Sequence, residues 1–374
     1  MPIRHSILGL RGTAMTDYLS DPETLQFEIT SMCNALCLGC PRTDTTNFNH
    51  TKPCIPSKSI MSLDTITNIF GSRISKNIKR IEFCGTIDEP LMHPYFFEIL
   101  DLVYSLRPDI RISIHTNGSL RSETEWAALA KSLNRFTNGY LVWFSIDGLE
   151  DTHSLYRQNT DFSKIIRNAK AFITAGGQAA WQYIIFPWNS HQVEIAKNMA
   201  AEMQFSKFKT RNDRSQSDEI SFEEIRLRKE KDAPSDFYNL SNDGTFQNLE
   251  EFDNLEIDCP WKKSKMLFVS HDNKLWPCCF FSNERYSTHY RNTDLEKRLY
   301  NNYGTDFNDL SINSLDDILN HRFFKSQLTI SWKNKIGFGE TDKVARCART
   351  CSKKGLEINP LYRHELHNLD AKEN

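Results

Sequence analysis

Ten cysteines in a chain of 374 residues fall in an uneven pattern that points to metal or redox chemistry. Cys33, Cys37 and Cys40 form a tight C-x3-C-x2-C cluster, while Cys54 and Cys84 stand alone. Cys259 is followed after eighteen residues by the pair Cys278-Cys279, and Cys347 and Cys351 close the set. Disulfide frameworks belong to secreted chains. No secretory leader is expected here, because Arg4, His5, Arg11, Asp17 and Asp21 interrupt the small apolar residues of the first segment. Structural zinc normally takes four ligands, and the triplet offers three thiols with no fourth nearby. Three thiolates suit a four-iron cube that keeps one iron open for a reacting ligand. A zinc site completed by a distant residue is the competing reading.

Elements of the right kind surround the triplet. Gln26 to Thr30, with Phe27 and Ile29 alternating, reads as a strand leading straight into the cysteine loop. Lys79–Gly85, Ile110–Thr116, Tyr140–Asp147, Gln178–Phe186 and Lys207–Arg211 read as further strands. Between them run helical stripes, one through Ile165, Ile166, Ala169 and Phe172, and another through Val193, Ala196, Met199, Ala200 and Met203. Ser190 is expected to cap the second, and Pro94 to open a helix ending at Leu106. Repeating βα units imply a parallel sheet, open or curled, with its chemistry at the C-terminal strand ends. Polar residues gather at those ends: Gly85 to Pro90, His115 to Gly118, Ser145 to Gly148, and Asn189.

The segment Phe27-Glu28-Ile29-Thr30-Ser31-Met32-Cys33-Asn34-Ala35-Leu36-Cys37-Leu38-Gly39-Cys40-Pro41-Arg42 resembles the signature of radical S-adenosylmethionine (radical SAM) enzymes. The resemblance implies that Cys33, Cys37 and Cys40 hold a [4Fe–4S] cluster whose open iron is chelated by SAM. Gly39 departs from the large residue usual before the third cysteine. By the same resemblance Gly85, Asp88 and Glu89 form the turn at SAM's amino group, and Asn117 ends the third strand. Ser145 and Asp147 end the fourth, Arg157 pairs with SAM's carboxylate, and Asn189 follows the fifth strand as a further cofactor contact. Guanidinium suits that role because it forks onto a carboxylate.

The distal cysteines surround a hairpin pattern. Met266–Ser270 and Lys274–Trp276 flank the polar turn His271-Asp272-Asn273, so Cys259 before it and Cys278 after it can approach each other. With Cys347 and Cys351 they make four thiols, enough for closed zinc or a complete iron–sulfur cluster. The arrangement resembles the twitch or SPASM extension of radical SAM enzymes, which implies an auxiliary [4Fe–4S] cluster on Cys259, Cys278, Cys347 and Cys351. Cys54, Cys84 and Cys279 are given no ligand role.

The expected fold is therefore α/β, a partial (β/α)6 barrel of radical SAM type followed by a small α+β Fe–S auxiliary domain with a β-hairpin. The expected divisions are an N-terminal segment 1–25, the barrel 26–213, a polar bridging segment 214–258, the auxiliary domain 259–352 and a tail 353–374. The segment before the first strand is too short for a fused peptide-recognition domain, so any leader peptide would need a separate partner protein.

Composition narrows the function classes. Apolar residues make up 39% and charged residues 25%, enough for a sizeable core. With 46 basic and 48 acidic side chains the formal net charge is −2, which disfavours a nucleic-acid or anionic-lipid partner. Apolar runs such as Tyr140–Phe144 fall far short of the ~18 residues of a membrane span. A cytoplasmic enzyme is expected, reduced by an external flavodoxin- or ferredoxin-type donor. The expected reaction is reductive SAM cleavage and oxidation or cross-linking of a peptide or protein substrate. Oxidation of a small-molecule alcohol is the alternative, and a non-catalytic Fe–S electron carrier a more distant one. Trp181, Tyr183 and Trp188 are candidates to line the substrate.

Overall fold

The computed structural model describes residues 18–37, 40, 42, 58–212, 254–283, 295–336 and 340–352. Gly39, Cys54, nearly all of the bridging segment and the tail from 353 lie outside the described residues. The first part of the chain runs β1 (Thr24–Phe27), β2 (Leu36–Cys37), α1 (Leu63–Gly71), β3 (Arg80–Phe83), α2 (Phe96–Leu106), β4 (Arg111–Thr116), α3 (Glu123–Leu133) and β5 (Tyr140–Ser145). It continues through α4 (His153–Tyr156), β6 (Arg157–Gln158), α5 (Phe162–Thr174), β7 (Ala179–Ile185), α6 (Val193–Glu202) and β8 (Lys207–Asn212). The distal part holds α7 (Pro260–Lys263), β9 (Met266–Val269), β10 (Leu275–Trp276), α8 (Cys279–Asn283), α9 (Leu295–Tyr303), α10 (Leu315–Asn320), α11 (Leu328–Ser331) and α12 (Ala345–Cys351).

Eight strands form one open sheet in the order β10-β9-β1-β3-β4-β5-β7-β8. All neighbours are parallel except β9 and β10, so the sheet is the six-stranded partial barrel with a hairpin added. β9 lies parallel along β1, with Thr24 opposite Met266 and Phe27 opposite Val269. The hairpin expected from the sequence is present, but it extends the barrel sheet rather than forming a sheet of its own. β1 would otherwise leave a row of unpaired backbone groups at the sheet edge. Pairing on both sides also moves the first strand two residues earlier than expected, because the carbonyl of Lys265 accepts from the amides of Glu23 and Thr24.

Parallel strands are usually apolar on both faces. Here β4 alternates, with Ile112, Ile114 and Thr116 buried and Arg111, Ser113 and His115 half-buried. The buried face packs on helices: Phe83 meets Phe96 of α2, and Phe144 meets Trp126 of α3 and Phe172 of α5. Ser122 caps α3 in a full capping box with Glu125, and Asp161 caps α5. Ser190 does not cap α6 as expected. A single 3-10 turn over Ser190–Gln192 precedes the helix, and the Ser190 hydroxyl bonds the Pro187 carbonyl instead. The inner face carries the half-buried Gln26, Glu82, Ser113, His115, Ser145 and Gln182 together with Trp143 and Ile184.

Candidate functional site

The cysteine loop is pinned from two sides. Its β2 pairs antiparallel with β6, setting Cys37 opposite Arg157 and Leu36 opposite Gln158. Asn34 bridges to the third strand end, accepting at Oδ1 from Asn117 Nδ2 at 2.8 Å, and its carbonyl accepts from Asn159 Nδ2 at 2.6 Å. Each thiol of the triplet faces a polar neighbour. Cys33 Sγ lies 4.0 Å from Asn117 Nδ2, Cys37 Sγ 3.8 Å from Arg157 Nη1, and Cys40 Sγ 3.9 Å from the Thr86 carbonyl.

Burial pushes all three thiols up. For Cys33, Glu89 and the two other cysteines add to the shift, whereas Arg157 opposes the rise of Cys37 to about 12. Loading a metal group would therefore expel protons from all three. Among the described residues no three His, Cys, Asp or Glu side chains converge closely enough to share one metal ion. A zinc cage draws every sulfur to about 2.3 Å from a single ion, whereas a four-iron core gives each cysteine its own iron. The all-sulfur donor set of the triplet fits the latter.

The strand ends behind the loop are braced by buried carboxylates. Glu89 accepts from Thr116 Oγ1 and the Asn117 amide, both at 2.7 Å, and from the Leu91 amide at 3.4 Å. Burial nevertheless lifts Glu89 to about 7, against those donors. Asp88 accepts from the Ile29 amide at 3.0 Å, and burial, then Glu28 and Glu89, push its carboxyl well above the usual range. A Cβ on Gly85 would sit 2.0 Å from Asp88 Oδ1, so only glycine lets that carboxyl fold over the turn. Glu28, fully buried, accepts from the Thr86 amide and hydroxyl at 3.0 Å and the Ile87 amide at 3.3 Å. Its other oxygen lies 4.0 Å from His271 Nε2 in the β9–β10 turn. Sequence reasoning gave Glu28, Asn34 and His271 no site role, although a lone acid between Phe27 and Ile29 was a visible signal.

Asp147, also fully buried, ties the fourth strand end to the loop. Its Oδ2 accepts from Arg157 Nε at 2.6 Å and its Oδ1 from the Ile184 amide at 2.6 Å. Burial raises Asp147, opposed by Arg157. Arg157 thus keeps only its second terminal nitrogen without a hydrogen-bond partner among the described residues. His153 accepts from the Asp147 amide at Nδ1, which leaves its proton on Nε2 toward Thr160 Oγ1. Burial, then Arg157, hold His153 down to about 3, so the imidazole is neutral. Ser145 stands half-buried at the end of β5.

Three of the expected contacts, Asn189, Trp181 and Tyr183, are fully buried. Asn189 is buried and uses both ends of its amide in its own turn, on the Phe186 amide and the Ile184 carbonyl. Trp181 and Tyr183 do share a face, but it is the helix-side face. Both are fully buried, with Trp181 bonding the Ile146 carbonyl and packing on Phe205. Trp188 stacks on Phe186 at 4.5 Å, Phe186 meets Tyr156, and Arg157 lies over Tyr156 at 5.6 Å. Trp188 thus connects to the Arg157 side of the site through Phe186 and Tyr156.

The distal cysteines lie near one another. The Asp258 amide bonds the Cys351 carbonyl at 2.7 Å, drawing Cys259 beside Cys351. The Cys351 thiol donates to Cys259, lowering Cys259 and raising Cys351. Cys278 and Cys347 interact electrostatically with both Cys259 and Cys351, and burial pushes Cys278 to about 12. Tyr18, fully buried, donates to the Pro277 carbonyl at 2.9 Å with its hydroxyl 3.8 Å from Cys259 Sγ. The four thiols thus lie within electrostatic reach of one another without closing on a single point. Cys279 is buried in the apolar core, and Cys84 is half-buried at the end of β3.

Residues 27–197 match the family model of the Radical SAM superfamily, and that stretch is a radical SAM domain. Such a domain implies a [4Fe–4S] cluster that binds SAM, and members of the superfamily are enzymes. Similar solved structures include native anSMEcpe with bound AdoMet, 16% identical at a TM-score of 0.48, covering 93% of this chain and 100% of that one. Streptococcus suis SuiB bound to S-adenosylmethionine is 14% identical at 0.45, covering 69% of this chain and 60% of the SuiB chain. BtrN in complex with AdoMet and 2-DOIA is 14% identical at 0.43, covering 86% of this chain and 91% of that one. A comparison with curated proteins gave no match. No helix among the described residues is long and apolar enough to cross a membrane.

Proposed function

We propose that this chain binds SAM at a [4Fe–4S] cluster on Cys33, Cys37 and Cys40 and oxidises or cross-links a peptide or protein substrate. The observation that carries the reading is the convergence of Asn117, Arg157 and the Thr86 carbonyl on Cys33, Cys37 and Cys40 from separate strand ends, with Glu89 holding the Asn117 amide. Cys33, Cys37 and Cys40 would hold the cluster, which when loaded by an external donor would supply the electron for reductive cleavage of SAM and hence for hydrogen abstraction from substrate. Arg157, held by Asp147, offers its remaining nitrogen to SAM's carboxylate. The Gly85–Glu89 turn, braced by Glu28, presents backbone groups to SAM's amino group, and Ser145 offers its hydroxyl beside them. Asn117 holds Asn34 and therefore the loop itself.

Cys259, Cys278, Cys347 and Cys351 would hold the auxiliary [4Fe–4S] cluster of a twitch- or SPASM-like domain spanning 259–352. Full ligation by four cysteines suits an acceptor for the electron left when a substrate radical becomes a product two electrons more oxidised. An external flavodoxin- or ferredoxin-type donor would supply the reducing electron. Oxidation of a small-molecule alcohol would use the same residues. The deciding experiment is 5′-deoxyadenosine formation by anaerobically reconstituted protein given SAM and a strong reductant. Steady release supports the reading, and none with or without candidate peptides turns it toward an electron carrier.

A further inference from the structure

Trp332 stands at the C-terminal end of α11, which follows a five-residue π turn over Phe323–Gln327. Such turns are rare and frequent at functional sites. The indole meets Tyr18 edge-on at 6.0 Å and 82°, and Lys262 Nζ lies over its face, 5.8 Å from the ring centre. Tyr18 is itself fixed at both ends. Its amide donates to the Phe324 carbonyl of the π turn at 3.1 Å, and its hydroxyl to the Pro277 carbonyl at 2.9 Å. The indole is thus clamped between Tyr18 and α7, the helix that begins directly after Cys259.

This clamped ring carries a donor without an acceptor. Trp332 Nε1 is buried, and no described protein atom completes a hydrogen bond with it. Folded proteins keep few such groups, and each calls for an explanation. The sulfur that the indole approaches is that of Cys347, too loosely set for a bond of normal geometry. Positive charge is gathered around the same cysteines, with Arg298 acting on Cys347 and Arg346 on Cys278. Neutral thiols have little use for such neighbours. Sulfur that carries negative charge, as in an iron–sulfur core, is stabilised by both the cations and the donor.

We propose that Trp332 Nε1 donates to the Cys347 sulfur of the auxiliary [4Fe–4S] cluster and raises that cluster's reduction potential. The proposal rests on the auxiliary-cluster reading above and gives it a tuning residue. Reduction adds one negative charge to the core. A fixed N–H dipole aimed at a ligating sulfur therefore stabilises the reduced form more than the oxidised one. A raised potential suits the acceptor role assigned to this cluster.

The test uses the full chain with Cys33, Cys37 and Cys40 all replaced by Ala, reconstituted anaerobically so that iron sits only at the distal cysteines. The potential is read by dye-mediated titration, with the reduced state followed by EPR. Trp332→Phe should shift it to a more negative value, and Trp332→His, which keeps a ring N–H, should recover part of the shift. Loosened packing that merely admits water stabilises the more charged, reduced form and moves the potential the opposite way. The sign therefore separates a donor from a packing role. A second measurement leaves Trp332 in place: with heavy nitrogen in the tryptophan indoles, pulsed EPR of the reduced cluster should show coupling to an indole nitrogen. An unchanged or raised potential in Trp332→Phe would overturn the proposal. So would absent indole coupling, even where Trp332→Phe loads no iron. Absence of all distal iron with Trp332 in place would sink the auxiliary-cluster reading and this proposal together, whereas a loaded cluster indifferent to Trp332 would sink the proposal alone.

Discussion

Cys37 and Arg157 face each other across a two-residue antiparallel ladder, with Arg157 Nη1 3.8 Å from Cys37 Sγ and Asp147 holding the guanidinium from behind. The loop that would carry the cluster and the arginine that would carry SAM are thus one mechanical unit.

Arg157→Met should therefore do more than weaken SAM binding. It leaves Asp147 buried and unpaired, a change that costs about 3–5 kcal/mol. The urea midpoint, SAM affinity and iron content should all fall. Unchanged SAM affinity in folded variant protein would remove Arg157 from the site.

Replacing Cys33, Cys37 and Cys40 together by Ala should abolish 5′-deoxyadenosine formation and lower iron from about eight to about four per chain. Replacing Cys259, Cys278, Cys347 and Cys351 should remove the other four. Loss of all iron in either variant would contradict two independent centres.

Gly85→Ala places a methyl 2.0 Å from Asp88 Oδ1 and 2.7 Å from Glu28 Cγ. Overpacking of this kind costs about 1–3 kcal/mol. The displaced turn should also weaken SAM binding by calorimetry, whereas Gly71→Ala, with open space around it, should change neither.

Tyr18→Phe removes the donor to the buried Pro277 carbonyl beside Cys259. Stability should drop by about 1–3 kcal/mol. The distal cluster should bleach faster in air, read by its visible absorbance, while iron at the triplet persists.

His153 is held to about 3, below the ~6.5 of an unfolded histidine. A depressed histidine means the unfolded state binds more protons between those values, so stability falls as pH drops below about 6.5, by at most ~1.4 kcal/mol per unit. His153→Gln should flatten that slope between pH 7.5 and 5.5 in urea titrations; an unchanged slope would place the titration elsewhere.

Much of the framework is legible in the chain. The alternation through Ile112 and Ile114, the caps at Ser122 and Asp161, and polar residues at each strand end are local signals, and local physics keeps them in place. Ser190 misled because a 3-10 turn intervenes before α6, a choice made by Asn189 closing on Phe186 and Ile184.

By itself the sequence determined the cysteine spacings, the βα rhythm and the identity of the groups at the strand ends, since each depends on neighbours a few residues apart. Which face those groups occupy was decided only by tertiary packing. Alternation puts Trp181 and Tyr183 on one side, but Phe205 and Phe208 are what make it the helix side. Glu28 is buried because amides from Thr86 and Ile87 fold over it, and β9 finds β1 across some 240 residues of chain. Those partners meet only when the sheet closes over its core, and no local pattern encodes a meeting that distant.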